Sequence, residues 1–222
     1  MILIIDTTKK NARALSDMFY HMGILANGLT PSEALSEISL IYRAVLIMNP
    51  NSLPDKRDYM KRLHSYASEI PCFAITDEPD ETDRQIFDDV VGGGLYASRI
   101  YSRVLEFSKE RGIRPPGKYR IAGIDCSCDL NIPVYFTEAL PFTRTENMIL
   151  RVLIRTYPNP MKAKAILKYA FRPSKIPDIS NVRTHISVMN KKFREITGRN
   201  LITLEIGEGY RILTPEIQEL KV

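Results

Sequence analysis

Five short apolar runs, each followed by a stretch of helical spacing, occupy the first 110 residues and leave that half of the chain few ways to fold. Ile2-Leu3-Ile4-Ile5 is the first run, and a second begins at Ile24-Leu25-Ala26. Ala44 to Met48 is the third, Cys72 to Ile75 the fourth, and the fifth lies between Val90 and Tyr96, interrupted by Gly92-Gly93-Gly94. Between the first two runs, Ala12, Leu15, Met18, Phe19 and Met22 recur at spacings that line one face of a helix over 11–22. Pro31 to Ile38 (proline in its first turn), Tyr59 to Ala67, about Thr82 to Asp89 and about Arg99 to Glu110 read as the other helices. Wholly apolar strands joined by helix-length crossovers predict a doubly wound, five-stranded parallel sheet covered on both faces.

The pattern breaks at Arg111 to Lys118, where Gly112, Pro115, Pro116 and Gly117 punctuate the chain. This predicts a first domain over 1–111, a linker over 112–118 and a second domain over 119–222. From Tyr119 to Phe142 strands and turns follow one another without room for crossover helices, so this sheet is antiparallel. Three helices come next: Thr143 to Tyr157, opened by a Thr143/Glu146 capping box, then Met161 to Phe171, then Ser180 to Thr197 with Gly198 beyond it. Leu201 to Ile206 and Tyr210 to Leu213, joined by Gly207-Glu208-Gly209, form a hairpin.

Charge divides along the same line. Residues 1–116 hold 14 Lys/Arg against 16 Asp/Glu, a net of −2, whereas 117–222 hold 17 against 10, a net of +7. A basic domain beside a slightly acidic one points to a polyanion as partner of the second half alone. No apolar run approaches the roughly 20 residues needed to span a bilayer, and the opening run is too short and lacks the basic start of a signal peptide. Cys72, Cys126 and Cys128 are too few and too irregular for a disulfide framework or a zinc site. A reduced, cytoplasmic protein without cofactor or metal is expected. Cys126 and Cys128 should share the apolar face of one strand with Ile124 and Leu130, a structural role.

Three stretches of the second domain carry a family pattern in order and at its spacing: Phe142-Thr143-Arg144-Thr145-Glu146, Val182-Arg183-Thr184-His185-Ile186-Ser187 running to Lys191-Lys192-Phe193, and Gly207-Glu208-Gly209-Tyr210-Arg211. They resemble the first-helix opening, the recognition helix and the wing of the winged helix-turn-helix domain of OmpR/PhoB-type response regulators. The resemblance spans Tyr119 to Leu213 and implies a transcription regulator bound to double-stranded DNA. Periodicity agrees: Val182, Ile186, Met189 and Phe193 make one buried stripe, leaving Arg183, Thr184, Ser187, Asn190, Lys191 and Arg194 for base edges and phosphates of the major groove. Arg144 and Thr145 open a helix, where backbone N–H groups favour a phosphate, and Arg211 follows the wing. Arg172 and Lys175 stand where the family has its transactivation loop, which offers the DNA backbone or RNA polymerase as partner. His185 reads as structural. Family wings often carry an arginine before the first wing glycine, suited to a narrow minor groove; this chain has Ile206 there and Glu208 at the tip.

The order of elements in 1–111 resembles the receiver domains that accompany such effectors. A receiver requires an acidic cluster for Mg²⁺, an acceptor aspartate, a hydroxyl and a lysine. Asp6 matches one member of the acidic pair, but Thr7 replaces the other. The acceptor position falls on Met48 or, one residue on, Asn49; Thr76 keeps the hydroxyl, and the lysine position falls near Gly93. With no carboxylate at the acceptor position there is no nucleophile to phosphorylate, so a degenerate receiver acting independently of phosphorylation is expected. The resemblance places homodimerisation at about residues 82–111, through Arg84, Asp88, Asp89, Arg99, Arg103 and Glu106 with Ile86, Phe87, Ile100 and Val104. A second class stays open, a pseudo-receiver sensing a ligand or protein with DNA binding secondary. An enzyme is not expected, because no nucleophile–base pair, ligand cluster or phosphate loop is visible.

Overall fold

The structure is a computed structural model that describes residues 1–39, 41–92, 94, 96–113, 120–126, 133–135, 138–171 and 178–213. The chain clusters into two compact units. Secondary structure in the first runs β1 (Ile2–Ile5), α1 (Lys9–His21), β2 (Ala26–Leu29), α2 (Pro31–Glu37), β3 (Ala44–Met48), α3 (Lys56–Ala67), β4 (Cys72–Ile75), α4 (Glu81–Ile86), β5 (Asp89–Val91) and α5 (Ala97–Glu110). The strands form one sheet in the order β2-β1-β3-β4-β5, every pairing parallel. This is a doubly wound order, and its sites lie where the carboxyl ends of the strands meet the loops.

Every residue of β1, β3 and β4 is buried, as their uninterrupted apolar composition requires. Phe19 of α1 meets Tyr101 of α5 edge to face at 6.3 Å, and Phe73 of β4 meets Phe107 of α5 at 5.1 Å, so aromatic edges close the layer formed by α1 and α5. Tyr59 of α3 donates its hydroxyl to the Pro31 carbonyl of α2 at 3.1 Å.

Three expected elements differ. The fourth helix stops at Ile86 rather than near Asp89, because Asp88 and Asp89 belong to the sheet: the Asp88 N–H donates to the Cys72 carbonyl at 2.9 Å, and Asp89 pairs in register with Phe73. The fifth strand accordingly begins earlier and ends at Val91, before the glycines. The second strand extends through Asn27-Gly28, a dipeptide that usually marks a turn. Gly28 is required by packing: a Cβ there would stand 2.4 Å from the Ala12 carbonyl oxygen of α1.

The second unit opens with a four-stranded antiparallel sheet, β6 (Arg120–Ile121), β7 (Ile124–Asp125), β8 (Val134–Tyr135) and β9 (Glu138–Ala139). Three helices follow, α6 (Arg144–Thr156), α7 (Ala163–Ala170) and α8 (Ile179–Thr197), and then a hairpin of β10 (Ile202–Glu205) and β11 (Gly209–Ile212). Strands before, three helices, and a hairpin after give the winged helix-turn-helix arrangement. Val182, Ile186, Met189 and Phe193 are all buried, as the spacing requires. Ile124 and Cys126 both point inward at 0% exposure, and the Cys126 thiol donates to Asn147 Oδ1 at 3.2 Å; Cys128 and Leu130 lie outside the described residues.

Candidate nucleic-acid interface and the degenerate receiver pocket

The exposed face of α8 is created by its buried one. Because Val182, Ile186, Met189 and Phe193 anchor one side, Arg183, Thr184, Ser187, Lys191 and Arg194 are left exposed on the other. Over the twelve residues from Arg183 to Arg194 the helix rises about 17 Å, long enough for a side-chain stripe to follow a major groove roughly 12 Å wide. Arg183 and Lys191 make no ion pair among the described residues and are exposed. Arg194 is held differently: its Nε and one terminal nitrogen donate to Asn200 Oδ1 at 3.2 and 2.7 Å, a neutral partner that orients the guanidinium and leaves its charge intact. The Thr184 hydroxyl donates back to the Ser180 carbonyl at 3.1 Å.

Asn190 does not stand with them. Its Nδ2 donates to the Ile202 carbonyl at 2.8 Å, while its Oδ1 accepts from the N–H groups of Leu201 and Ile202 at 3.0 and 2.8 Å. The amide is spent on fastening the hairpin to α8, so the expectation that Asn190 reads bases is corrected. Lys192, not singled out by the sequence, serves a similar purpose. Its ammonium donates to Glu146 Oε2 at 2.7 Å and to the Pro141 carbonyl at 2.9 Å, joining α8 to the start of α6. The signal was present in the Thr143/Glu146 capping box, which forms, but the partner 46 residues away was not.

The hairpin is set by Gly209, whose φ is +126° and whose absent Cβ would lie 2.3 Å from the Met161 carbonyl oxygen. That closeness permits the reciprocal pairing of Met161 with Tyr210, N–H to carbonyl at 2.8 and 2.9 Å. Arg211 is ion-paired with Glu205 across the hairpin, which sets it apart from Arg183 and Lys191. At the turn Ile206 is 97% exposed. Arg144 is exposed and Thr145 half-buried at the start of α6, while Arg172 and Lys175 lie outside the described residues. His185 packs edge to face on Phe171 at 5.6 Å, in keeping with a structural role.

At the carboxyl edge of the parallel sheet, Asp6 is 2% exposed; its Oδ1 accepts from the Thr8 N–H at 2.6 Å and its Oδ2 has no hydrogen-bond partner among the described residues. The register sets Ile5 against Ile47 and Met48 against Ile75, so Asp6, Met48 and Thr76 meet at one edge. Met48 is buried, and Asn49 is exposed with its backbone left-handed at φ +46°. Thr7 shares a hydrogen bond with Ser52 at 3.2 Å, and Thr76 accepts from the Glu78 N–H at 3.2 Å. Gly93 lies outside the described residues. A single carboxylate, a thioether and two hydroxyls already engaged lack the charge of a Mg²⁺ site.

The loops above that edge are tied by an unforeseen lysine. Lys56, at the start of α3, donates to Asn51 Oδ1 at 2.7 Å, Asp80 Oδ2 at 2.8 Å and Asp83 Oδ1 at 2.6 Å. The Asp83 side chain is fully buried. Partial burial lowers the Lys56 pKa, but the hydrogen bonds its ammonium donates to Asp80 and Asp83 outweigh this and raise it, while the bond from Lys56 lowers that of Asp80. Of the apolar residues expected at a dimer face, Phe87, Ile100 and Val104 belong to the core instead, because a short α4 and the inner face of α5 must cover β5. Arg84, Asp88, Arg99 and Glu106 remain exposed, and Arg103 pairs with Asp89, Glu106 and Glu110 of its own chain.

No known family profile matches the chain, and no curated protein is similar to it in sequence. Among solved structures it is similar to one from a novel family of redox sensors in the streptococci evolved from two-component response regulators, at 14% identity over 96% of this chain and 99% of that one, with a TM-score of 0.40. It is similar also to the response regulator DrrB, a Thermotoga maritima OmpR/PhoB homologue, at 15% identity over 95% and 97%, with a TM-score of 0.39. The DNA-binding domain of the response regulator AdeR, solved with an intercistronic region, is similar at 21% identity over 44% of this chain and 98% of that one, TM-score 0.37. At such identities function does not transfer with fold. No helix among the described residues is long and apolar enough to cross a membrane.

Proposed function

We propose that the chain is a transcription regulator of response-regulator architecture that binds double-stranded DNA through the exposed face of α8, without control by aspartyl phosphorylation. The observation that carries this reading is the stripe Arg183, Thr184, Ser187, Lys191 and Arg194, exposed on a helix whose opposite face is anchored in the core. Short polar groups reach base edges, and the cations meet phosphates. The +7 charge of residues 117–222 supplies the sequence-independent attraction. Phosphorylation has no acceptor at Met48 or Asn49, and Arg84, Asp88, Arg99 and Glu106 offer a polar surface for a symmetric dimer. Reduced cytoplasmic residence fits the same reading.

Gel-shift titration against genomic fragments at physiological salt tests it. Arg183→Ala is expected to weaken the specific complex by about 1–3 kcal/mol and to relax preference at one base pair. Lys191→Ala is expected to weaken all sequences alike and to reduce the salt slope by about one unit. Wild-type affinity in both variants rejects α8 as the reading helix.

A further inference from the structure

At the amino edge of the parallel sheet, opposite the degenerate pocket, three elements bring a histidine, a cysteine and an aspartate together. His64 lies toward the end of α3, Cys72 begins β4 and Asp88 precedes β5. One ligand atom from each, imidazole nitrogen, thiol sulfur and carboxylate oxygen, lies within 4.8 Å of the others. Their separations in sequence, eight and sixteen residues, match no periodic motif, which is why a count of cysteines missed them.

We propose that His64, Cys72 and Asp88 form a binding site for zinc or a similar divalent transition metal. The donor set selects the ion: nitrogen and sulfur exclude magnesium and calcium, which take oxygen shells, and suit a borderline-soft cation. Metal–ligand bonds of about 2.0–2.3 Å place tetrahedral ligands roughly 3.3–3.8 Å apart, so atoms within 4.8 Å of one another need close by at most about 1.5 Å. His64 is the ligand with most room to move. Cys72 is fixed at 1% exposure, whereas His64 is half-buried and Asp88 exposed. Backbone bonds keep the cysteine and aspartate in register: the Cys72 N–H donates to Asp88 Oδ2 at 2.8 Å, and the Asp88 N–H to the Cys72 carbonyl at 2.9 Å. On binding, the Cys72 thiol gives its proton to solvent and the thiolate and carboxylate neutralise the dication. Occupancy would join α3 to the junction of α4 and β5.

Cobalt(II) titration of the reduced full chain tests this. One equivalent is expected to give a sulfur-to-cobalt charge-transfer band and the visible bands of a tetrahedral centre, both displaced by zinc. Cys72→Ser should lose the charge-transfer band. His64→Gln and Asp88→Asn should each weaken binding by roughly 10-fold or more, at least the penalty for removing an outer partner of a ligand. A charge-transfer band that survives Cys72→Ser places the metal on Cys126 or Cys128 and overturns the proposal. So does full affinity in a folded His64→Gln variant, its helix content checked by circular dichroism, or the absence of any tetrahedral spectrum at saturating cobalt.

Discussion

Asn190 stands at the margin between the buried and exposed faces of α8, and its side-chain amide decides which side it serves. Helical spacing placed it beside Lys191 as a reader of bases; the three hydrogen bonds to Leu201 and Ile202 make it the clasp of the hairpin. Asn190→Ala would leave two N–H groups and a carbonyl to find other partners, at about 1–3 kcal/mol for each one that stays buried. It is expected to lower the melting temperature and weaken binding to every DNA sequence alike; a changed base preference with unchanged stability would restore it as a reader. Glu33 gives a second test. The Lys9 ammonium, followed by the Thr30 N–H, lowers its pKa to about 2 from an unperturbed 4.5. A depressed carboxylate pKa stabilises the fold above the unfolded value and ceases to do so as pH falls through the folded one. The deficit in melting temperature of Glu33→Gln is therefore expected to be full near pH 6 and to vanish between pH 4.5 and 2. A deficit constant over that range would show that the ion pair contributes nothing.

How far an element can be read from its own residues depends on where its reasons lie. For β3 both ends were legible, because Ala44 to Met48 is apolar throughout and Asn49-Pro50 cannot continue a strand. The far half of β2 was not legible: Gly28 is explained by the α1 backbone, and nothing local distinguishes Asn27-Gly28 from a turn. In the same way α4 was drawn too long, since Asp88 and Asp89 read as helix surface until β4 is present to pair with them. The α8 stripe was legible because it repeats; Lys56 with Asp83, and His64 with Cys72 and Asp88, were not, because no period joins residues on separate elements. The hairpin repeats the lesson of Gly28. Gly209→Ala meets both a left-handed φ, costing roughly 1–3 kcal/mol, and the Met161 carbonyl. It is expected to destabilise the second unit measurably in thermal denaturation and to reduce DNA affinity. Gly28→Ala, an overpacking change worth about 1–3 kcal/mol, should lower stability with no effect on DNA affinity at temperatures where the protein stays folded. Equal effects of both substitutions on DNA binding would contradict the assignment of the interface to the second unit.

The two halves of the sequence carry opposite net charge, −2 over residues 1–116 and +7 over 117–222, and the proposed division of labour follows from it. Incubation with acetyl phosphate or a beryllofluoride mimic is expected to leave both the intact mass and the DNA affinity unchanged, because Met48 and Asn49 offer no carboxylate. A donor-dependent mass gain with tighter DNA binding would reject phosphorylation independence while leaving the α8 assignment untouched. Peroxide is expected to leave DNA binding unchanged as well, since Cys72 and Cys126 are buried; rapid thiol labelling with a parallel change in affinity would assign the chain a redox response.

Lys56 bears on how such a protein takes its instructions. A switch needs two arrangements of nearly equal free energy, so that a modest signal can exchange their populations. Any motion that withdraws α4 from the start of α3 must strip Lys56 from Asp83, whose carboxylate is fully buried. Lys56 is held at the same time by Asn51 and Asp80, so the whole set of bonds has to break together. On this geometry α4 and the start of α3 are expected to move as one piece, a fixed part rather than the two-state element a switch requires.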